Sequence, residues 1–505
     1  MNFSENKLKL EKKPVAIYLL LFFLTIIFYL PFIFSDNLTP DAVDYINIAN
    51  NLASGRGFTI SIKWHFFNDY PVIRSAIAER PPIYPLFLSL LFLINKSLFF
   101  ILLVNIILTG INVLLLYHYT QKLLGNRLVS LISALVLLLN PNMLMSAIFP
   151  LSEQLYILIL LIILNLFSKS VNKERIVLVG LLTAMAYLIR PTAIVFLFAI
   201  IVWLILIKEA KLIPYYLITT IGILIPWFTA VAIVHHNPFY SVQSFHFITL
   251  SIKDEMAQGY LKEYEPALKF FIHNSNEILK LVIRNFINYT IEFLSLSYLG
   301  ILSVFLLTFF SISKTTRKNS LPLWIALLNL IFISIVWATY DASRFLLITF
   351  ILSLPFLLYG LFKFLGDVQT VNFKTNKIPI IAIIILLFIY MKIDYDMYGR
   401  FHNPSYRTTE EMKAWVKNNV KETDVICSYD PFKTNFMYER PTIILPSDIN
   451  FLNHVYEFIK QYSVKFFVVD EELSPLFNVL ERQGVIKRES NIPDNRFYWF
   501  RVMIT

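Results

Sequence analysis

The sequence predicts a polytopic α-helical membrane protein with about eleven transmembrane helices and a C-terminal α/β domain on the outer face. Three observations predict it. Of the 505 residues 57% are hydrophobic and 15% charged, with a mean hydropathy of +0.63; soluble domains carry about a quarter charged residues. Apolar runs near the roughly 20 residues that a bilayer requires recur along the chain. Residues 394–505 then change character, with short strands alternating with helices between turn residues.

The first apolar run, 15–34, follows Lys7, Lys9, Lys12 and Lys13. Tyr29-Leu-Pro-Phe32 offers no small-residue cleavage site, so the run reads as a retained span. Residues 83–94 are apolar but too short to cross, which suggests an interfacial or re-entrant segment. Further spans are expected at 97–119, 128–147, 152–168, 176–190, 192–207, 212–234, 291–312, 321–339, 345–362 and 378–393. Phe (46) and Tyr (27) are abundant, as lipid-facing surfaces and interfacial belts require. These spans make 1–393 a membrane domain, with outer polar segments at 35–82 and 235–289, and 394–505 a soluble extracytoplasmic domain.

Charge sets the expected orientation. The net charge is +10, and its cations cluster in short loops: Lys122 and Arg127; Lys169, Lys173 and Arg175; Lys208 and Lys211; Lys314, Arg317 and Lys318; Lys363, Lys374 and Lys377. All fall on one side with the N-terminal lysines if the spans alternate. This is the positive-inside pattern, with a cytoplasmic N-terminus, and it argues against nucleic acid as a partner. A single cysteine, Cys427, excludes an internal disulfide and reads as a small buried residue. In the tail, 408–420, 453–462 and 475–483 read as helices. Strands are expected at 424–428, 442–445, 464–469 and 496–502.

The polar stretch from Phe34 to Pro85 holds the first candidate residues. Thr39 is a good N-cap and Pro40 a good first helical residue, and the helix should stop at Gly55-Arg56-Gly57. Asp41, Asp44 and Tyr45 then share one face. Asp41 is either a first-turn acid favoured by the helix dipole, or one of the two carboxylates is a general base or a metal ligand. Glu79-Arg80-Pro81-Pro82-Ile83-Tyr84-Pro85 closes the stretch. Its prolines stiffen the return to the membrane, and Arg80 there is either a phosphate ligand or a snorkelling cation. Glu153, in Pro150-Leu-Ser-Glu153, opens an apolar span and is a candidate on that ground. Arg190-Pro191 lies between two spans with almost no loop. Asp341 and Arg344 sit in a tight outer loop, as a local ion pair worth under about 1 kcal/mol or as part of a site. His235, His236 and His246 in 235–289 lack metal-ligand spacing. Acids, arginines and aromatics at the outer mouth of an apolar bundle suit an amphiphile with a phosphate and a long tail.

These residues resemble the type-C glycosyltransferases that use polyprenyl-phosphate sugars, in the branch of protein O-mannosyltransferases and lipid A aminoarabinose transferases. The resemblance rests on Asp41-x-x-x-Tyr45-x-x-x-Ala49-x-x-Leu52-x-x-Gly55-x-Gly57-Phe58, then Arg80-Pro-Pro-x-Tyr84-Pro, Pro150-x-x-Glu153, Arg190-Pro191 and Arg344-Phe345 in that order. It implies a membrane enzyme of the cell inner membrane. Such an enzyme transfers a sugar from a polyprenyl-phosphate donor to a glycan, lipid or protein hydroxyl, with inversion. It places Asp41 at the catalytic acid position. Members often carry two adjacent acids, whereas this chain has Asp41-Ala42 and its second acid at Asp44, so which acid acts and whether a divalent metal takes part stay open. Tyr45, Arg80, Tyr84, Glu153, Arg190 and Arg344 would bind substrate. A flippase for lipid-linked sugars, or an O-antigen ligase or polymerase, would use the same kind of cavity. The first would be expected to show internal pseudo-symmetry, and the second a large late outer loop with its key residues.

Overall fold

The computed structural model describes residues 14–34, 38–66, 70–167, 171–242, 259–261, 267–295, 298, 317–336, 343–366, 375–401, 408–448, 452–470, 474–490, 492–493 and 497–504. The first half runs α1 (Pro14–Tyr29), α2 (Pro40–Ala53), β1 (Thr59–Ile60), β2 (Ile62–Lys63), β3 (Arg74–Ser75), α3 (Ile83–Ile94), α4 (Leu98–Leu124), α5 (Arg127–Leu138), α6 (Pro141–Ile148), α7 (Glu153–Phe167), α8 (Lys173–Ile189), α9 (Ile194–Leu206) and α10 (Ile213–His235). Then come α11 (Ala267–His273), α12 (Ser275–Phe293), α13 (Leu321–Val336), α14 (Ser343–Leu365) and α15 (Lys377–Phe401). The C-terminal part adds α16 (Glu410–Asn419), β4 (Val425–Ser428), α17 (Pro431–Tyr438), β5 (Thr442–Ile444), α18 (Leu452–Tyr462), β6 (Val464–Val469), α19 (Ser474–Arg482), β7 (Ile486–Arg488) and β8 (Tyr498–Val502).

This is an integral membrane protein. Among the described residues five helices are long and apolar enough to cross a bilayer, six with one bent pair, and four shorter apolar helices of 10–17 residues stand beside them. The bent pair corrects the continuous span expected over 128–147: α5 and α6 meet at 55°. Asn140 causes the break by capping α6, its Oδ1 accepting from the Asn142 and Met143 amides at 3.0 and 3.3 Å, while Pro141 takes the first helical position. Other expected spans differ too, α4 running to Leu124 past the expected end at 119. Of the span expected over 291–312, 291–293 close α12, and 296–297 with 299–312 lie outside the described residues. The last membrane helix runs to Phe401, past the expected end at 393.

The helices pack into one core, with α4 against α1, α5 and α7, α8 against α7 and α10, and α13 against α9 and α14. Its fully buried aromatics include Tyr84, Tyr156, Phe196 and Trp203. The six-stranded C-terminal sheet has the order β2-β5-β4-β6-β8-β7, parallel from β2 to β6 and antiparallel beyond. Side chains alternate across it: Val425 and Cys427 meet Phe458, Tyr462 and Phe477 on one face, while Ile426 meets Met412, Val416 and Trp499 on the other. Burial pushes the Cys427 thiol well above its ordinary value.

Besides β1, β3, α11 and α12, three features of the C-terminal sheet assembly were not read from the sequence. Helix α17 is one; its signal is present, since Asp430 accepts from the Lys433 amide at 2.9 Å and Pro431 follows at the first helical position. Strand β7 is another. The third is β2, which belongs to the outer stretch 35–82 yet forms an edge of the C-terminal sheet, with Ile62 opposite Thr442 and Lys63 opposite Ile443.

Candidate active site

Helix α2 starts as its residues dictate. The Ala42 amide donates to Thr39 Oγ1 at 3.2 Å, Pro40 takes the first position, and Gly55 and Gly57 at φ +75 and +76 turn the chain away. Asp41 and Asp44 therefore leave the first turns side by side. Between them lies Arg80: its Nη2 donates to Asp41 Oδ1 at 2.6 Å and to Asp44 Oδ2 at 2.8 Å, and its Nε donates to Asp44 Oδ2 at 3.2 Å. The other oxygen of Asp41 accepts from Arg344 Nη2 at 2.5 Å. One carboxylate thus bridges two guanidinium groups drawn from positions 264 residues apart. A local ion pair of Arg344 with Asp341 was one of two readings, and Asp341 lies outside the described residues; among those described, Arg344 pairs with Asp41.

Burial would raise the pKa of Asp41, but Arg80 and Arg344 outweigh it and hold the carboxyl well below the usual carboxylate range. Asp44 goes the other way. Its burial, reinforced by Glu79 and Asp41, outweighs Arg80 and raises it to about 6. Asp44 Oδ1 has no hydrogen-bond partner among the described residues, which fits a carboxyl that is easily protonated.

The remaining candidates join the same network. The Arg80 guanidinium lies 5.1 Å from the Tyr45 ring centre, and that ring meets Tyr84 edge-on at 4.8 Å. Tyr45 OH donates to Ser152 Oγ at 3.4 Å, which also accepts from Arg190 Nη1 at 3.4 Å. Arg190 Nη1 reaches Glu153 Oε1 at 2.6 Å. Arg190 and Arg344 both lie over the Phe345 ring, at 5.3 and 4.9 Å. All eight residues singled out in the sequence, Asp41, Asp44, Tyr45, Arg80, Tyr84, Glu153, Arg190 and Arg344, therefore converge. A small cleft beside them is lined by Glu153, Arg190 and Arg344 and by Ile157, Ile333, Leu347 and Ile348. Glu153 Oε2 has no hydrogen-bond partner among the described residues.

Sequence reasoning missed several participants. Ser152 sits inside a motif already noted, so its hydroxyl could have been named. Asn329 and Thr192, which also line the cleft, carry no local signal. A second ionic cluster was missed as well. Arg74 Nε donates to Glu79 Oε1 at 2.9 Å, Arg74 Nη2 contacts the same oxygen, and His65 Nε2 lies 3.4 Å from it. Burial would raise Glu79, but Arg74 and His65 outweigh it and hold it well below its ordinary value. Burial, with Arg74 and Lys63 near, pushes His65 down to about 4.

No group of three His, Cys, Asp or Glu side chains stands together among the described residues. Asp41 and Asp44 face guanidinium groups, so this donor set does not suit a divalent ion. Of the histidines in 235–289, His235 Nδ1 meets Tyr70 OH at 3.1 Å and its ring stacks on Tyr240, and His246 lies outside the described residues.

Residues 79–231 match the family described as dolichyl-phosphate-mannose-protein mannosyltransferase. No curated protein matches the chain. Among solved structures, ArnT from Cupriavidus metallidurans bound to undecaprenyl phosphate superposes with a TM-score of 0.58 at 12% identity, over 96% of each chain. The Archaeoglobus fulgidus oligosaccharyltransferase AglB, in complex with an inhibitory peptide and a dolichol-phosphate, gives 0.58 at 11% identity over 90% of this chain and 70% of its own. At such identities the likeness speaks for the fold alone, and this chain shares the fold of these two structures.

Proposed function

We propose that the chain transfers a sugar from a polyprenyl-phosphate donor to an acceptor hydroxyl, with inversion at the anomeric carbon. The observation that carries this reading is that Glu153, Arg190 and Arg344 line a cleft together with apolar residues, and that Arg344 is joined through Asp41 to Arg80 and Asp44. The apolar residues suit a prenyl tail, the guanidinium groups suit a phosphate, and the carboxylates suit a hydroxyl that must lose a proton. The structural neighbours bound to undecaprenyl phosphate and dolichol-phosphate support the same donor class.

The bond changes follow. The acceptor oxygen attacks C1 of the sugar and its proton passes to Asp41. The C1–O bond to phosphate breaks, and the polyprenyl phosphate leaves with the electron pair, its charge met by arginines. As the side chains stand, both oxygens of Asp41 are held by guanidinium groups, which makes it a weak base. A donor phosphate competes for Arg80 and Arg344; drawing them away raises the basicity of Asp41 when the sugar is in place. Asp44 keeps Arg80 anchored through its second contact.

The positive loops support an N-terminus in the cytoplasm, with the site and residues 394–505 outside, and about eleven crossings in a bacterial inner membrane. Residues 1–393 then carry donor and chemistry, and 394–505 face the acceptor side.

The test is transfer of label from polyprenyl-phosphate sugars to an envelope acceptor fraction by purified protein in detergent, wild type beside Asp41→Asn. Transfer by wild type alone is expected. Tight binding of the lipid with no transfer to any acceptor would overturn the reading in favour of a transporter.

A further inference from the structure

We propose that Asn47 and Asn435 are positioning residues through which the C-terminal sheet fixes the rotation of α2, and with it Asp41 and Asp44; the catalytic readout of this rests on the glycosyltransferase reading. Asn47 lies three residues beyond Asp44 on the same helix. Its side chain is fully used: Nδ2 donates to Ser61 Oγ at 2.7 Å and to Asn435 Oδ1 at 3.0 Å, while Oδ1 accepts from the Ser61 amide at 2.9 Å. An amide with both donors and its acceptor engaged has one orientation.

Both of its partners belong to the sheet assembly. The Ser61 carbonyl accepts from the Thr442 amide at 2.9 Å, next to the β2–β5 pairing. Asn435 sits on α17, is 5% exposed, and is itself held by donating Nδ2 to the Arg440 carbonyl at 2.7 Å. Helix α17 is the piece of the C-terminal part that touches the membrane core, through Phe432 and Phe436. One turn further along α2, Asn51 Nδ2 donates to the Thr59 carbonyl at 3.0 Å.

The physical consequence is mechanical. A helix turns as a rigid rod, so a slip at Asn47 is carried to Asp44, one turn away, and to Asp41, nearly two turns away. Displacement of a reacting group by about 1 Å costs up to about a hundredfold in rate.

The experiment uses the full chain with Asn435→Ala, Asn435→Asp and Asn47→Ala. Asp keeps the oxygen that Asn47 donates to but loses the donation to the Arg440 carbonyl, and Ala removes both. We expect kcat to fall about tenfold in Asn435→Ala, with KM for the donor within about twofold, and Asn435→Asp to recover part of the loss. The double variant Asn47→Ala, Asn435→Ala should be no slower than the worse single one. Amide hydrogen exchange read on α2 should rise in Asn435→Ala while α4 and α7 stay protected, a readout that needs no activity. Unchanged kcat and unchanged exchange on α2 would overturn the proposal. So would loss of kcat together with a fall in melting temperature and no recovery by Asp, which would make the pair merely structural. A wild type that transfers no sugar would instead overturn the glycosyltransferase reading, and exchange on α2 would still decide the positioning role.

Discussion

Two ionic clusters meet at consecutive residues, Glu79 and Arg80, and their difference is instructive. Around Glu79, Arg74 and His65 form a sealed group: the Arg74 and Glu79 side chains are 5% and 4% exposed, and the Arg74 Nη1 donates to the Ile62 and Val72 carbonyls. Around Arg80, the Asp41 side chain is 29% exposed, and its second partner Arg344 lines a cleft. A buried cluster with its bonds spent on the protein fixes the loop. An open one, whose carboxylate divides between two arginines, can exchange partners with a ligand. The partial exposure of Asp41 and Arg344, and not residue type, separates the two, since Asp44 is as buried as Glu79.

The largest effect expected on the open side is that of Asp41→Asn. It should lower transfer about a thousandfold with the melting temperature kept, read by the radiolabel assay and thermal unfolding side by side. Arg80→Lys comes next. It keeps a charge but cannot span Asp41 and Asp44 as the fork does, so a drop of about a hundredfold in kcat/KM is expected from titration with donor lipid. On the sealed side the pattern should invert: Glu79→Gln leaves Arg74 buried beside a neutral group and should cost about 3 kcal/mol of stability. Its kcat per folded molecule should stay within about twofold, and a large kcat loss with stability kept would erase the distinction between the clusters.

The smallest effects lie in pH. His65 is depressed to about 4, so its contribution to stability is fully present above its ordinary 6.5 and is lost as pH falls toward 4. Melting temperature should therefore drop on acidification through that window, and His65→Gln should flatten the drop. Asp44 is raised to about 6, so any stability it lends exists below its ordinary 3.8 and is lost as pH rises to 6. Asp44→Asn should remove an inflection near pH 6 from the rate profile; an inflection that survives belongs to another group.

Much of the site was legible because its signals are local. Thr39-Pro40 starts a helix, Gly55 and Gly57 end it, and an acid or arginine beside a proline at a span's end announces itself. What escaped were residues defined by their neighbours. Nothing near Arg74 or His65 in sequence announces that they share Glu79, and Asn47 and Asn435 are ordinary polar residues until 388 positions of chain bring them to 3.0 Å. The outer stretch and the tail read as separate pieces because strand pairing between Ile62–Lys63 and Thr442–Ile443 has no local signature.

By itself, then, the sequence determined the membrane character, most of the apolar helices among the described residues, and the identity of the charged residues that gather around Asp41 and Glu153. Hydrophobic run length and capping chemistry are properties of neighbours along the chain. Only the tertiary structure decided that Asp41 bridges Arg80 and Arg344, that Asp44 is raised while Asp41 is lowered, and that a strand of the outer stretch completes the C-terminal sheet. Those outcomes depend on burial and on distances between remote residues, which the folded chain alone sets.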